Sequence, residues 1–259
     1  MRAVSLHADV VVATSRAYAT TCTLVRGGGE AFCIDSPVFP DELEALPLLA
    51  RQAGFDVVGT LATHADWDHL LGRLAFPAAP LGCGETSAAR LTNEPGVAQR
   101  ELREFDEELY VERPAPLSLP SPQRLPVPGH VQVGARELEL QPADGHTADG
   151  MAIWIPWARV LVCGDYLSPV EIPMLSPGGS LSAYLATLAR LEPLVAQAEH
   201  VVPGHGGPID GTRAAAILRE DRTYLEALRE RGADAPLPLA RRTGAQRKAH
   251  AANVERALR

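Results

Sequence analysis

Short apolar and β-branched runs dominate the chain up to residue 62. Val10-Val11-Val12-Ala13-Thr14, Thr20 to Val25 and Ala31-Phe32-Cys33-Ile34-Asp35 read as strands, and Gly27-Gly28-Gly29 reads as the turn between the last two. Residues 40–53 place Leu43, Leu46, Leu49 and Ala50 at helical spacing and stop at Gly54. Val57 to Ala62 is a further apolar run that breaks into polar residues at Thr63, the pattern of a buried strand. A helix is expected to follow through Leu70, Leu71 and Leu74. Residues 85–113 read as two helices, with Leu102, Phe105 and Leu109 on one face of the second and acidic residues on the other. A solvated acidic face is the plain reading of that charge, and a lid over a pocket is the functional one. Six prolines between 114 and 128 mark a stiff connecting segment.

The second half repeats the rhythm. Val131-Gln132-Val133 and Leu138-Glu139-Leu140 alternate about Gly134, and 151–155 and 160–163 are buried runs. A helix over 181–195, a short strand at Val201-Val202, an amphipathic helix from Ile209 to Arg231 and a basic helix over 243–259 complete the expectation. Strands followed by helices in each half predict two β-rich layers with helices outside, an α/β sandwich.

Composition narrows the possibilities. The 259 residues are 46% hydrophobic and 22% charged, which suits a globular chain with a sizeable core. A net charge of −8 argues against dependence on nucleic acid or anionic membrane. His7 and Asp9 interrupt any apolar signal core, and no run reaches membrane-spanning length. Cys22, Cys33, Cys83 and Cys163 are dispersed without a C-x-x-C pair, so reduced thiols and a cytoplasmic location are expected.

The candidate chemistry sits after the run 57–62, in Thr63-His64-Ala65-Asp66-Trp67-Asp68-His69. His64, Asp66 and Asp68 stand at every second position, so an extended backbone aims them to one side, and His69 follows directly. Aspartate and histidine also cap helices, but four metal-capable side chains at one strand end point to a metal site. Three more short motifs lie in loops beside expected strands: Gly145-His146-Thr147, Cys163-Gly164-Asp165-Tyr166 and Pro203-Gly204-His205-Gly206. Each alone is weak. Their order carries the signal.

That order resembles the metallo-β-lactamase-fold hydrolase superfamily, whose pattern is His-x-His-x-Asp-His followed by Gly-His, Gly-Asp and Gly-His. The chain matches it at every position but Asp66, which stands where the family has its second histidine. The resemblance implies an αβ/βα four-layer sandwich of two mixed β-sheets flanked by helices. It implies a single domain over 1–259, with an insert at about 84–128 and a helical segment at about 210–259. It implies a two-metal site in which His64 and His146 hold the first ion, Asp68, His69 and His205 hold the second, and Asp165 bridges. Asp66 is expected to ligate the first ion, bringing one more negative charge and a harder oxygen donor. Zinc suits such a donor set and is the expected pair of ions; some relatives with redox di-iron centres carry an acidic residue at this position, which keeps iron or manganese open.

The expected reaction is hydrolysis of an ester, thioester, lactone or amide bond of a small molecule by metal-activated hydroxide, with Asp68 or Asp165 orienting the water and moving its proton. An iron-dependent redox or dioxygenase activity, phosphodiester hydrolysis and a non-catalytic metal-binding module are the alternatives. Tyr166 is expected to be a packed aromatic more than an oxyanion donor, Thr63 and Thr147 to hydrogen-bond around the ligands, and Trp67 to be core. Asp35 is expected to accept backbone hydrogen bonds at its strand end. Arg241, Arg242, Arg247 and Lys248 either balance the acidic remainder or hold an anionic substrate tail.

Overall fold

Alternation along the strands decides how the layers pack. Val10, Val12, Val25, Ile34 and Leu61 from the first half meet Leu138, Leu140, Met151, Ile153, Val160, Val162 and Val202 from the second in one buried cluster. Their neighbours, which point the other way, meet helices. Val11, Ala13, Cys22, Leu24 and Cys33 pack with Leu46 and Ala50, while Trp154, Leu161, Cys163 and Val201 pack with Leu188, Leu191, Ile217 and Leu225. Period-2 side-chain direction thus makes two inner and two outer layers.

The computed structural model describes residues 1–257. The first sheet contains β1 (Arg2–His7), β2 (Val10–Thr14), β3 (Thr21–Gly27), β4 (Glu30–Asp35), β5 (Val57–Ala62), β6 (Leu81–Gly84) and β7 (Gln123–Leu125), in that spatial order. Pairing is antiparallel from β1 to β4 and parallel from β4 to β7. The second sheet contains β8 (Gly129–Val133), β9 (Arg136–Pro142), β10 (Met151–Ile155), β11 (Val160–Val162), β12 (His200–Val202) and β13 (Ile209–Asp210), and only β11 and β12 are parallel neighbours. The helices are α1 (Pro40–Gln52), α2 (Gly72–Ala75), α3 (Glu85–Asn93), α4 (Val97–Leu109), α5 (Leu181–Gln197), α6 (Gly211–Arg231) and α7 (Gly244–Ala257). Two mixed sheets flanked by helices make the expected sandwich.

Several expectations need correction. The helix through Leu70 and Leu74 is only a 3-10 turn at Trp67–His69 and the four-residue α2. Strands β1, β6 and β7 are not legible as strands in the sequence, and β7 lies inside the proline-rich segment. Leu109 does not face inward; it is 49% exposed at the end of α4. Helix α6 begins at Gly211, because Ile209–Asp210 pair with β12 and the Asp210 side chain caps the helix by accepting from Arg213 N. The last two residues of the expected terminal helix, 258–259, lie outside the described residues.

The two sheets meet along one rim. Thr21 N donates to Gly204 O at 2.8 Å, Met151 N donates to Thr63 O at 2.7 Å, and Thr20 bridges His205. All the candidate loops emerge at this rim: 63–69 after β5, 143–150 after β9, 163–168 after β11 and 203–208 after β12.

Candidate metal centre

All seven candidate residues converge. His64 Nε2 stands 3.6 Å from Asp66 Oδ2 and 3.8 Å from Asp165 Oδ2. His146 Nε2 stands 3.5 Å and 3.2 Å from the same two atoms. On the other side, His69 Nε2 lies 3.7 Å from Asp68 Oδ2 and 3.2 Å from Asp165 Oδ1. His205 Nε2 lies 3.6 Å from Asp68 Oδ2 and 3.3 Å from Asp165 Oδ2. Asp165 therefore faces all four imidazoles from between two groups.

The donor set fits cations better than it fits itself. Among the described residues, His64 Nε2, His69 Nε2 and Asp165 Oδ1 are buried with no hydrogen-bond partner. Buried polar atoms are normally paired, so three such atoms aimed at one point require an explanation. Four donors arranged tetrahedrally about 2.1 Å from an ion stand about 3.4 Å apart, close to the spacings observed here. Each of the groups His64–Asp66–His146, Asp68–His69–His205 and His64–His69–Asp165 offers donor atoms within 4.8 Å of one another.

The outer ring nitrogens fix the orientation of the inner ones. His146 Nδ1 donates to Met174 O at 2.8 Å and His205 Nδ1 donates to Tyr18 O at 3.1 Å; a carbonyl only accepts, so the Nε2 lone pairs are left facing the cluster. His69 Nδ1 is at ion-pair distance, 3.0 Å, from Asp35 Oδ2. Thr63 Oγ1 donates to the same oxygen at 2.9 Å and so accepts from His64 Nδ1 at 3.1 Å. Thr63 N donates to Asp35 Oδ1. Asp35 thus does more than accept a backbone hydrogen bond: it anchors Thr63, which accepts from His64, and sets its charge beside His69 Nδ1.

Glycine lets the loops close on this point. A Cβ at Gly204 would overlap Asp165 Oδ1 and come within 3.0 Å of His69 Cε1. The electrostatics follow from the same crowding. Burial opposes the charged form of every group here, yet His146 and His64 hold Asp66 well below the usual carboxylate range, and the four histidines do the same to Asp165. In return, Asp68, Asp35 and Asp165 raise His69, Asp165 and Asp66 raise His146, and Asp165, Asp68 and Glu171 push His205 up to about 10.

Other expectations resolve in detail. Tyr166 is buried, donates to Asp144 O at 2.7 Å and accepts from His146 N at 3.1 Å, so its hydroxyl is committed to the loop. Thr147 Oγ1 donates to Asp149 O and supports the turn without reaching a candidate ligand. Trp67 is only half-buried: its ring lies 4.8 Å from that of Phe105 and borders a cleft. That cleft, about 1080 Å³, opens over Asp66, Asp68, Asp165 and His205 between α3–α4 on one side and α7 on the other. Glu101 of α4 lines it, whereas Glu104, Glu107 and Glu108 face solvent, as the plain reading of the acidic face expects. Arg241 cannot hold a substrate tail, because it is fully buried and donates to Asp221 Oδ1 at 2.6 Å; Lys248 does border the cleft. Sequence reasoning missed Arg90 and Asp149: Arg90 Nη1 donates to Asp66 Oδ1 and Asp149 Oδ1, and Asp149 Oδ2 accepts from Ala65 N.

The sequence model of the metallo-beta-lactamase superfamily matches residues 16–205, which include all seven converging side chains. The chain belongs to the metallo-beta-lactamase superfamily. Solved structures share the superfamily fold at low identity. A metallo-beta-lactamase family protein from Thermus thermophilus, TTHA1429, is 22% identical, covers 97% of this chain and 95% of its own, and superposes with a TM-score of 0.69. The stereoselective inverting sec-alkylsulfatase Pisa1 from Pseudomonas sp. is 14% identical with a TM-score of 0.74, over 98% of this chain but 49% of the sulfatase. The DIM-1 metallo-beta-lactamase is 19% identical with a TM-score of 0.62, over 87% and 96%. No curated protein sequence matches the chain.

Proposed function

We propose that the chain is a two-metal hydrolase of a small molecule, acting on an ester, thioester, lactone or amide bond. One observation carries this reading: Asp165 faces four histidines at 3.2 to 3.8 Å, at the floor of an open cleft. His64, Asp66 and His146 would hold one ion, Asp68, His69 and His205 the other, with Asp165 shared. Bound cations there supply the positive charge that acidifies water and polarises a carbonyl oxygen. Imidazole and carboxylate donors favour zinc, and the oxygen of Asp66 admits iron or manganese.

The chain's own groups account for orientation and proton movement. Asp68 borders the cleft and accepts a weak hydrogen bond from Thr20 Oγ1 at 3.4 Å, leaving its carboxylate placed to accept a proton from water entering above it. Trp67, Tyr18, Val97, Ile172 and Met174 give the cleft an apolar lining that excludes bulk water from one side of the substrate. The acidic balance of the chain supports a small-molecule substrate over nucleic acid. No helix among the described residues is long and apolar enough to cross a membrane. The four cysteines, all buried as thiols, support a cytoplasmic site of action.

The test is a zinc- and manganese-supplemented screen of lactones, thioesters, β-lactams and phosphodiesters, with metal content measured on the same sample. Turnover of a carbonyl substrate that is lost on chelation is expected. Oxygen uptake with bound iron, turnover of phosphodiesters alone, or turnover that survives chelation would each contradict the reading. Asp165→Ala is expected to lose bound metal and hydrolysis together, and unchanged turnover would contradict the reading.

A further inference from the structure

Asp66 stands where a histidine would leave the first group with one fewer negative charge, and the structure shows what accompanies it. Arg90, on α3, donates through Nη1 to Asp66 Oδ1 at 2.7 Å and to Asp149 Oδ1 at 3.0 Å. Asp149 is itself fixed by accepting from Ala65 N at 2.9 Å, so the guanidinium is anchored to the same loop that carries Asp66. With Oδ1 held, the free oxygen Oδ2 is the one that faces His64 and His146. The pair is shielded, with side chains 19% and 21% exposed, so the two charges are screened little by solvent. An aspartate adds one negative charge relative to neutral histidine, and Arg90 sets a positive charge beside it at hydrogen-bond distance, shared with Asp149 at 3.0 Å and Glu94 at 3.5 Å.

The geometry points to Arg90 as a positioning residue for the first metal group: Asp66 and Arg90 together, not Asp66 alone, take the place of a histidine. This rests on the two-metal reading above. Arg90 chooses which carboxylate oxygen points inward, and it offsets part of the charge that Asp66 brings. Histidine needs neither service. The two positions are therefore coupled, and a change at Arg90 matters only while Asp66 is an aspartate.

A double-mutant cycle read by metal binding tests this without reference to turnover. Zinc affinity and stoichiometry are measured by competition with a chromophoric chelator on the full chain, its R90M and D66H variants and the D66H/R90M variant, with thermal unfolding recorded for each. R90M is expected to weaken one of the two zinc sites by tenfold or more, within the range for lost outer partners. In the D66H background the same change is expected to alter affinity less than threefold. An equal loss in both backgrounds would show that Arg90 acts only through Asp149 and would overturn the inference, as would unchanged or tighter binding in R90M. Should R90M fail to fold, R90K keeps the charge with a different donor shape; a loss of at least threefold beside Asp66 and none in the D66H background is expected, and no difference between backgrounds overturns the coupling. A parent chain that binds neither zinc nor manganese would sink the functional reading as well, whereas two bound zinc ions with additive substitutions would sink this inference alone.

Discussion

Asp35 shows how much one side chain outside the donor set decides. It closes β4 with a φ of 55°, a left-handed conformation that aspartate tolerates better than most residues, and its two oxygens gather Thr63 N, Thr63 Oγ1 and His69 Nδ1. Asp35→Asn keeps the shape but removes the charge that favours His69 Nδ1–H, and is expected to weaken metal binding about 10- to 100-fold, measured by chelator competition. Gly204→Ala is expected to abolish binding at the shared carboxylate, because the added methyl would occupy the position of Asp165 Oδ1; metal content of the purified variant reads this directly. These residues differ in how well the sequence announces them. His64, Asp66, Asp68 and His69 are legible because they are contiguous, and His146, Asp165 and His205 because each adjoins a glycine at a strand end. Arg90 carries no such spacing, and Asp149, though it adjoins Gly150 before β10, falls outside the family pattern. Each is a lone charged residue, ordinary until the fold places it beside Asp66.

At the scale of elements, the terminal segment holds the loop that holds His146. Ile172 N donates to Gln246 Oε1, Leu175 N donates to Asn253 Oδ1, and Asn253 Nδ2 donates to Pro173 O, all at 2.7 to 2.8 Å. Arg256 Nη1 donates to Leu175 O, and Arg241 Nη1 to Glu171 O. Between these anchors lies Met174, whose carbonyl orients His146. Helix α7 is thus a strap across 172–175 as well as a wall of the cleft, and Arg241 ahead of it extends the hold to Ser168 and Glu171. Asn253→Leu removes three hydrogen bonds from buried groups and is expected to cost roughly 3 kcal/mol in denaturant unfolding, at about 1 kcal/mol each. Arg241→Met strands the buried carboxyl of Asp221, which burial already pushes up to about 7 against the pull of Arg241, and is expected to cost on the order of 3 kcal/mol in the same measurement. The helices with wide apolar faces, α1, α5 and α6, are readable from periodicity. Strands β6 and β7 are not, since three or four residues flanked by glycine and proline give too few alternations, and the polar β1 is an exposed edge whose pairing with β2 supplies what its side chains do not. The strap is invisible in the sequence for another reason: Gln246 and Asn253 are polar residues buried by long-range contacts.

For the whole molecule, the cluster couples metal, protons and stability. Without metal, Asp66 and Asp165 are held below the ordinary carboxylate range, so their contribution is present above about pH 4 and is lost as pH falls through their lowered values. The histidines run the other way. His205, pushed up to about 10, contributes fully below about pH 6.5, and that contribution is lost as pH rises through about 10. The metal-free chain is therefore expected to draw most from this cluster between about pH 4 and 6.5, whereas metal binding must displace the imidazole protons and strengthens as pH rises. Chelation is accordingly expected to lower the Tm more at about pH 8 than at about pH 6, in paired thermal melts; an equal or reversed difference would contradict this linkage. The central claim is that side chains from four loops of two sheets form one shared seat for a pair of cations. Elemental analysis of the purified chain and its Asp165→Ala variant tests it most directly. Two metal ions per chain, falling to one or none in the variant, is the result expected; less than one ion in the parent chain, or an unchanged ratio in the variant, would contradict it.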